Sequence, residues 1–166
     1  AEEDKTLAGC ARFLSDPDRT FAATLRLMMS TSHLGDRPHP VVAQAARELQ
    51  NKSENERSGV LSTALSFLSL YRDPVVAEVT SVSDWTVEGL VMGERPMSLY
   101  LACPPSDVSR TKPLMRLVLN QIARRLTEQE PDPSRRKLLL MLDEFPALGR
   151  LDFFETALAF MAGYGV

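Results

Sequence analysis

The spacing of apolar residues changes near Ser81, and this change restricts the fold more than any other feature of the chain. In residues 1–80 the apolar side chains recur at intervals of three and four, as they do on one face of an α-helix. In residues 97–166 two short apolar runs alternate with helical patterns. The pattern predicts a mostly helical α/β chain, with an N-terminal helical bundle in 1–80, a connector in 81–96 and an α/β segment in 97–166.

Capping residues indicate where several helices of residues 1–80 begin. Ser53 and Glu56 form the S-x-x-E pattern of a capping box, in which each residue satisfies a backbone N–H of the other. Asp16 and Asp73 each precede a proline, which suits the first helical position, so both predict a helix start. Phe67 lies at helical spacing from other apolar residues, and we expect it in the core.

The two apolar runs are predicted to be strands of a parallel sheet. The first, 97–103, reads Met-Ser-Leu-Tyr-Leu-Ala-Cys and stops at two prolines. The second, 137–144, places an unbroken apolar run between a lysine and two carboxylates. A long helical pattern lies between them, and the order strand, helix, strand favours a parallel pair joined by a right-handed crossover. Because both runs are largely apolar, we expect about two parallel strands buried on both faces.

Asp143 and Glu144 end the more hydrophobic of these two runs. In open α/β sheets, ligands bind at the carboxyl ends of the strands. An aspartate there can hold Mg²⁺ through water, and Mg²⁺ bridges the phosphate oxygens of a nucleotide. An adjacent glutamate can orient or deprotonate the attacking water. This is the Walker B pattern of P-loop ATPases; the alternative is an apolar strand that simply meets a turn.

Three stretches of the sequence resemble the TraG-type conjugative coupling proteins, the coupling ATPases of type IV secretion systems. LLLMLDEFPALGRLDFFETALAFMAGYG is similar to the Walker B strand and following helix of that family. RPMSLYLACPPSDVSRTKPLMRLVLNQIARRLTE resembles the preceding strand and helix of its RecA-like motor domain, and NERSGVLSTALSFLSLYRDPVVAEVTS the end of its all-helical domain. The resemblance runs from about Asn55 to the C-terminus, with DEFPALG as its most specific motif.

The resemblance implies a function for the parent protein and roles for two residues. Asp143 matches the aspartate that coordinates Mg²⁺ through water, and Glu144 matches the glutamate that activates the attacking water. The family implies ATP and Mg²⁺ as cofactors and a homohexameric motor at the cytoplasmic face of the bacterial inner membrane. Implied partners are the relaxosome with its relaxase, transferred DNA or effector proteins, and secretion-channel components. Residues 1–80 correspond to the substrate-recognition domain; Arg150 receives no role, because an ion-paired arginine is an equally good explanation.

The phosphate-binding loop of P-loop ATPases, G-x-x-x-x-G-K-[ST], does not occur in this sequence. Without it, no backbone nest or lysine is available to cradle the β- and γ-phosphates. The sequence begins without methionine and stops at Gly-Tyr-Gly-Val, so we expect an internal piece of a longer protein. We therefore expect this piece alone to be inactive, to hold no tightly bound cofactor and to contribute no cofactor-binding residue besides the Mg²⁺ ligand Asp143.

Two other hypotheses stay open from the sequence. The net charge is −3, which gives no broad basic field for nucleic acid, and no apolar run is long enough to span a bilayer. One alternative is a non-enzymatic helical module that binds a protein or DNA through residues 1–80. The other is an unrelated small regulator in which the adjacent acids Asp143 and Glu144 are coincidental.

Overall fold

The computed structural model describes residues 4–128, 130 and 134–166. The chain divides into two compact units, Ala1–Val82 and Ser83–Val166. The first unit contains helices α1 (Leu7–Leu14), α2 (Phe21–Ser30), α3 (Pro40–Asn51), α4 (Glu54–Leu68) and α5 (Pro74–Val79). The second contains α6 (Val87–Met92), α7 (Val108–Thr127) and α8 (Asp152–Met161). Short 3₁₀ turns occupy Ser69–Arg72, Pro105–Asp107, Phe145–Leu148 and Ala162–Tyr164.

Two of the predicted helix caps are confirmed. At the start of α4, the Glu56 N–H donates to Ser53 Oγ at 3.4 Å, and the Ser53 N–H donates to Glu56 Oε2 at 3.0 Å. At the start of α5, Asp73 Oδ1 accepts the N–H groups of Val75 and Val76, at 2.9 and 3.2 Å. Each cap satisfies backbone donors that have no partner inside the helix.

The predicted helix start at Asp16 is wrong. Helix α2 begins at Phe21, with the Thr20 side chain as its cap. The Asp16 carboxylate is engaged locally, because it accepts the Asp18 N–H at 3.0 Å and forms an ion pair with Arg19 at 3.2 Å. An aspartate that bonds to its own turn competes with helix formation, so the chain makes a turn here before the helix starts.

The first unit packs small and medium side chains at its centre. Helix α2 packs against α3, and α1 packs against α4 and the 3₁₀ turn that follows it. The hydroxyl of buried Thr24 accepts a hydrogen bond from Arg19 Nε at 3.0 Å, which compensates for its removal from water. The buried apolar residues of this unit are Ala8, Ala11, Leu25, Ala46, Tyr71 and Val76.

The prediction that Phe67 lies in the core is wrong, because 76% of its surface is exposed. Val60, which lies two turns earlier on the same face of α4, is also exposed. Helix α4 has no fully buried residue, and its half-buried leucines lie on other positions, such as Leu61 and Leu65. The apolar stripe that includes Val60 and Phe67 therefore faces away from the neighbouring helices.

The second unit is organised around α7. One buried cluster joins Leu119 and Ala123 of α7 to Phe154, Ala157 and Met161 of α8. A second cluster joins Ile122 and Leu126 of α7 to Leu90 and Val91 of α6. Both clusters extend to apolar residues that flank the helices, so α7 supplies the central packing surface of this unit.

The two predicted strands are not formed in the described part of the chain, where no residue belongs to a β-strand. A strand is defined by a ladder of hydrogen bonds to a neighbouring strand, and the described residues supply no such neighbour to either run. Residues 137–142 nevertheless keep the side-chain alternation of a strand. Leu138, Leu140 and Leu142 pack on the two clusters, whereas Leu139 and Met141 are 80% and 83% exposed.

None of the helices in the described ranges is both long enough and apolar enough to span a membrane.

Candidate functional site

Asp143 and Glu144 lie where the extended run 137–142 ends and the chain turns. Both side chains are exposed. The 3₁₀ turn Phe145–Leu148 follows at once, and Leu142 packs against the cluster between α7 and α8. The backbone therefore presents two adjacent carboxylates to solvent at the end of an apolar segment that is anchored on the helices.

Glu144 has an unusual backbone conformation. Its φ and ψ angles are 50° and 29°, in the left-handed region. Among the described residues it is the one non-glycine residue with a positive φ. A side chain in this region costs on the order of 1–2 kcal/mol. Strain of this kind persists only where surrounding contacts hold it, and it is often found at functional sites.

The turn is closed by its own backbone and anchored by the side chains of Phe145 and Leu148, which both pack against the cluster between α7 and α8. The Glu144 N–H donates to Asp143 Oδ1 at 3.0 Å, and the Ala147 N–H donates to the Glu144 carbonyl at 2.9 Å. Phe145 packs into the cluster between α7 and α8, with its ring centroid 5.9 Å from that of Phe154 in an edge-on arrangement. These contacts hold the backbone of the turn that begins at Glu144 in place.

Helix α7 holds the other end of this turn. Arg116 Nη1 donates a hydrogen bond of 2.7 Å to the carbonyl oxygen of Leu148. The next residue, Gly149, has a φ of 68°, and a Cβ there would lie 3.0 Å from Lys112 Nζ. The positive φ therefore favours glycine at this position, whereas the Lys112 ammonium lies at the end of a flexible side chain that could shift.

Arg150 does not join the two carboxylates. It pairs with Asp152 Oδ1 at 2.8 Å and with Glu155 Oε2 at 3.1 Å, both near the start of α8. Its side chain is 75% exposed. Arg150 is therefore an exposed arginine that is ion-paired at the start of α8, and it lies outside the candidate site.

The structure brings together Asp143 and Glu144, which the sequence singled out, and adds Arg116 and Lys112, which it did not. A signal for Arg116 does exist in the sequence. It precedes the buried residues Leu119 and Ala123 by three and seven positions, so it lies on the core-facing stripe of α7. A charge on such a stripe needs a polar partner, and the Leu148 carbonyl supplies it.

The chemical groups that the site offers are two exposed carboxylates. In the described part of the chain, no ion pair engages Asp143 or Glu144, and no cluster of three or more His, Cys, Asp or Glu residues could enclose a metal ion. Mg²⁺ is typically bound through one or two carboxylates together with water and substrate phosphates, and does not need an all-protein cage. The donor set therefore suits a hydrated Mg²⁺ shared with a nucleotide.

Comparison with known proteins gives consistent matches. Residues 1–166 match the family described as Type IV secretory system Conjugative DNA transfer. Conjugal transfer protein TraG of Escherichia coli is 40% identical over 168 residues, covering 97% of this chain and 26% of that protein. Protein VirD4 of Agrobacterium fabrum is 39% identical over 98 residues, covering 58% of this chain and 14% of that protein. No solved structure gives a significant match.

Proposed function

This chain belongs to the type IV secretory system conjugative DNA transfer family, and from that premise we propose that the protein containing it is a coupling ATPase. That protein recruits relaxosome DNA or protein substrates and uses ATP to drive their transfer. The chain spans 26% of the length of the TraG relative, so this activity is proposed for the longer protein. The observation that carries the proposal is the pair of adjacent, exposed carboxylates, Asp143 and Glu144, at the end of an anchored apolar segment.

In this proposal the two acids have different roles. Asp143 would hold Mg²⁺ through a water molecule, and the bound ion would neutralise charge on the phosphate groups. Glu144 accepts a proton from the attacking water, or orients it, at its exposed carboxylate. Adjacent positions suit the two roles because the metal and the attacking water act on the same phosphoryl group.

We also propose that 97–103 and 137–144 are strands of a RecA-like sheet in the longer protein. Two features support this. Residues 137–142 alternate between packed and exposed side chains, as in a strand. Leu99 and Leu138 pack against the same cluster of α6 and α7 side chains. The exposed Leu139 and Met141 would be buried once a further layer covers the sheet.

Recruitment is proposed for the helical unit, Ala1–Val82. Its specific support is apolar surface on the C-terminal part of the unit: Phe67, Val75 and Val79 are 76%, 65% and 64% exposed. Exposed aromatic and aliphatic side chains of this kind favour protein partners, and the net charge of −3 gives DNA no comparable attraction. We propose the relaxase or an effector protein as the direct partner, and secretion-channel components as partners of the longer protein.

Family membership further supports a homohexamer at the cytoplasmic face of the inner membrane as the working form of the longer protein. A hexameric motor places the nucleotide between subunits, so ATP hydrolysis should rise more steeply than protein concentration. Hydrolysis that is strictly proportional to protein concentration across the assembly range would contradict the hexamer.

The test of the ATPase proposal is Glu144→Gln in the longer protein. The amide keeps the size of the side chain but cannot accept the proton, so we expect hydrolysis to fall roughly 10²- to 10⁴-fold. Nucleotide binding should be unchanged, because Asp143 and the metal ion are retained. The measurements are steady-state phosphate release and the affinity for a fluorescent nucleotide.

Glu155→Gln is the matched control, since Glu155 is an exposed glutamate in the following helix that forms an ion pair with Arg150. This variant should keep normal hydrolysis. Equal loss in both variants, or loss of nucleotide binding with turnover intact in Glu144→Gln, would contradict the role assigned to Glu144.

A further inference from the structure

We propose that Arg116 is a positioning residue that holds Glu144 in its left-handed conformation. This inference rests on the proposed function, because it concerns how the water-activating carboxylate is aimed. Arg116 and Glu144 belong to different elements, and the link between them is the turn Phe145–Leu148. Arg116 closes that turn at its far end, at the Leu148 carbonyl.

Arg116 anchors the turn to helix α7. The hydrogen bond from Arg116 Nη1 to Leu148 O is 2.7 Å long and joins residues 32 positions apart. Arg116 is half-buried on α7, on the same face of the helix as Leu119 and Ala123. These two residues belong to the cluster against which Phe145 also packs. The guanidinium therefore projects from a packed helix, and its position is fixed by the same core that fixes the turn.

Backbone hydrogen bonds connect this anchor to Glu144 along the turn. The Gly149 N–H donates to the Pro146 carbonyl at 3.0 Å, and the Ala147 N–H donates to the Glu144 carbonyl at 2.9 Å. These overlapping bonds make the segment from Glu144 to Gly149 one hydrogen-bonded unit. When its last carbonyl is fixed by Arg116, the first residue has little freedom to rotate its backbone.

The backbone of Glu144 is strained. Its φ of 50° is disfavoured for a glutamate, so the residue would relax toward negative φ if the turn were released. Such a rotation would turn the side chain away from its present direction. Phe145 and Leu148 anchor the turn through their side chains, and Arg116 adds the hydrogen bond that fixes the Leu148 carbonyl and thereby the backbone of the turn.

The activity test uses Arg116→Met in the longer protein. Methionine keeps an unbranched apolar stem for packing but has no donor for the Leu148 carbonyl. We expect kcat to fall roughly 10- to 100-fold, the size of effect that misplacing a catalytic group by about 1 Å produces, with KM for ATP unchanged. Arg116→Lys keeps the stem and one donor, so it should fold and should lose less activity.

A double variant separates positioning from a general structural role. If Arg116 acts through Glu144, then adding Arg116→Met to Glu144→Gln should lower kcat no further. Arg124→Met is the matched control on the same helix, because the Arg124 guanidinium stacks 4.7 Å from the centre of the Phe153 ring without contacting the turn. It should keep the kcat of the unmodified protein. Multiplicative losses in the double variant would overturn the proposal.

A second measurement does not depend on hydrolysis. In the 166-residue chain, a residue with positive φ gives a strong NMR cross-relaxation signal between its own amide and α protons. We expect this signal for Glu144, its loss in Arg116→Met and its retention in Arg124→Met. A signal that persists in Arg116→Met overturns the positioning role whatever the enzyme does. If instead Glu144→Gln leaves hydrolysis intact in the longer protein, the proposed function fails while this conformational result still stands.

Discussion

Leu25 and Phe67 differ strongly in how far their side chains are buried in the helical unit. Leu25 is 0% exposed and Phe67 is 76% exposed, although both are large apolar side chains on helices. Truncation of a buried leucine removes contacts on all sides and leaves a cavity, whereas an exposed ring has few contacts to lose. The two residues therefore separate what stabilises the unit from what its surface can bind.

We expect Phe67→Ser to change the free energy of unfolding by no more than about 0.5 kcal/mol. Leu25→Ala should lower it by about 2–5 kcal/mol. Chemical denaturation monitored by circular dichroism measures both. If the exposed ring contacts a partner, Phe67→Ser should also weaken capture of the relaxase or effector by the longer protein, with stability preserved. A large loss of stability in Phe67→Ser would contradict the exposed position.

At the scale of the element, the start of α4 depends on a carboxylate. Hydrogen bonds from the Ser53 side chain, then from the Ser53 backbone, and the nearby charge of Lys52 lower the pKa of Glu56 below its usual value. A lowered pKa in the folded chain means that the ionised form is the stabilising one. The stabilisation is complete above the pKa of Glu56 in the unfolded chain, and it is lost as the pH falls through the lowered pKa.

We therefore expect the first turn of α4 to fray as the medium is acidified into this range. Amide-proton shifts and exchange rates of Glu54–Arg57, followed against pH, measure the effect. Glu56→Gln provides the control, since glutamine also completes a capping box but does not ionise. The variant should show much less pH-dependent fraying at this helix end. The same pH dependence in both proteins would show that another group is responsible.

The elements differ in how far their sequence determines them. The capping box at Ser53 and Glu56 was predictable, because both partners lie within one helical turn. The continuous apolar run 137–144 predicts a strand buried on both faces, whereas Leu139 and Met141 are 80% and 83% exposed, so the alternation of packed and exposed side chains does not follow from that pattern. Its hydrogen-bond ladder could not follow from that pattern, because a strand needs a neighbour that the described residues do not supply.

The candidate site likewise contains residues that the sequence identifies and contacts that it does not. Asp143 and Glu144 could be identified from their order after an apolar run. The bond from Arg116 to Leu148 joins residues 32 positions apart, and no local pattern specifies it. The exposure of Phe67 was also missed, since helical spacing gives the apolar stripe of α4 but not which neighbour, if any, covers it.

At the scale of the whole chain, the Asp-Glu pair is present without the phosphate-binding loop of P-loop ATPases. The two carboxylates by themselves offer a nucleotide two negative charges and no phosphate cradle. We therefore expect the 166-residue chain to bind Mg-ATP more weakly than the micromolar range and not to hydrolyse it.

Isothermal titration of the chain with Mg-ATP, together with a phosphate-release assay, measures this expectation. The longer protein, titrated under the same conditions, is the positive control. Micromolar binding by the 166-residue chain would contradict it and would require a phosphate site formed by residues other than the known loop pattern.

Because the backbone of Glu144 is left-handed, stability and function favour different residues at this position. Asparagine adopts a φ of 50° more readily than glutamate, so Glu144→Asn would relieve strain in this turn. A population of this protein selected only for resistance to heat would therefore drift away from glutamate here. Persistence of the acid in an evolving lineage would then report continued selection for what the carboxylate does.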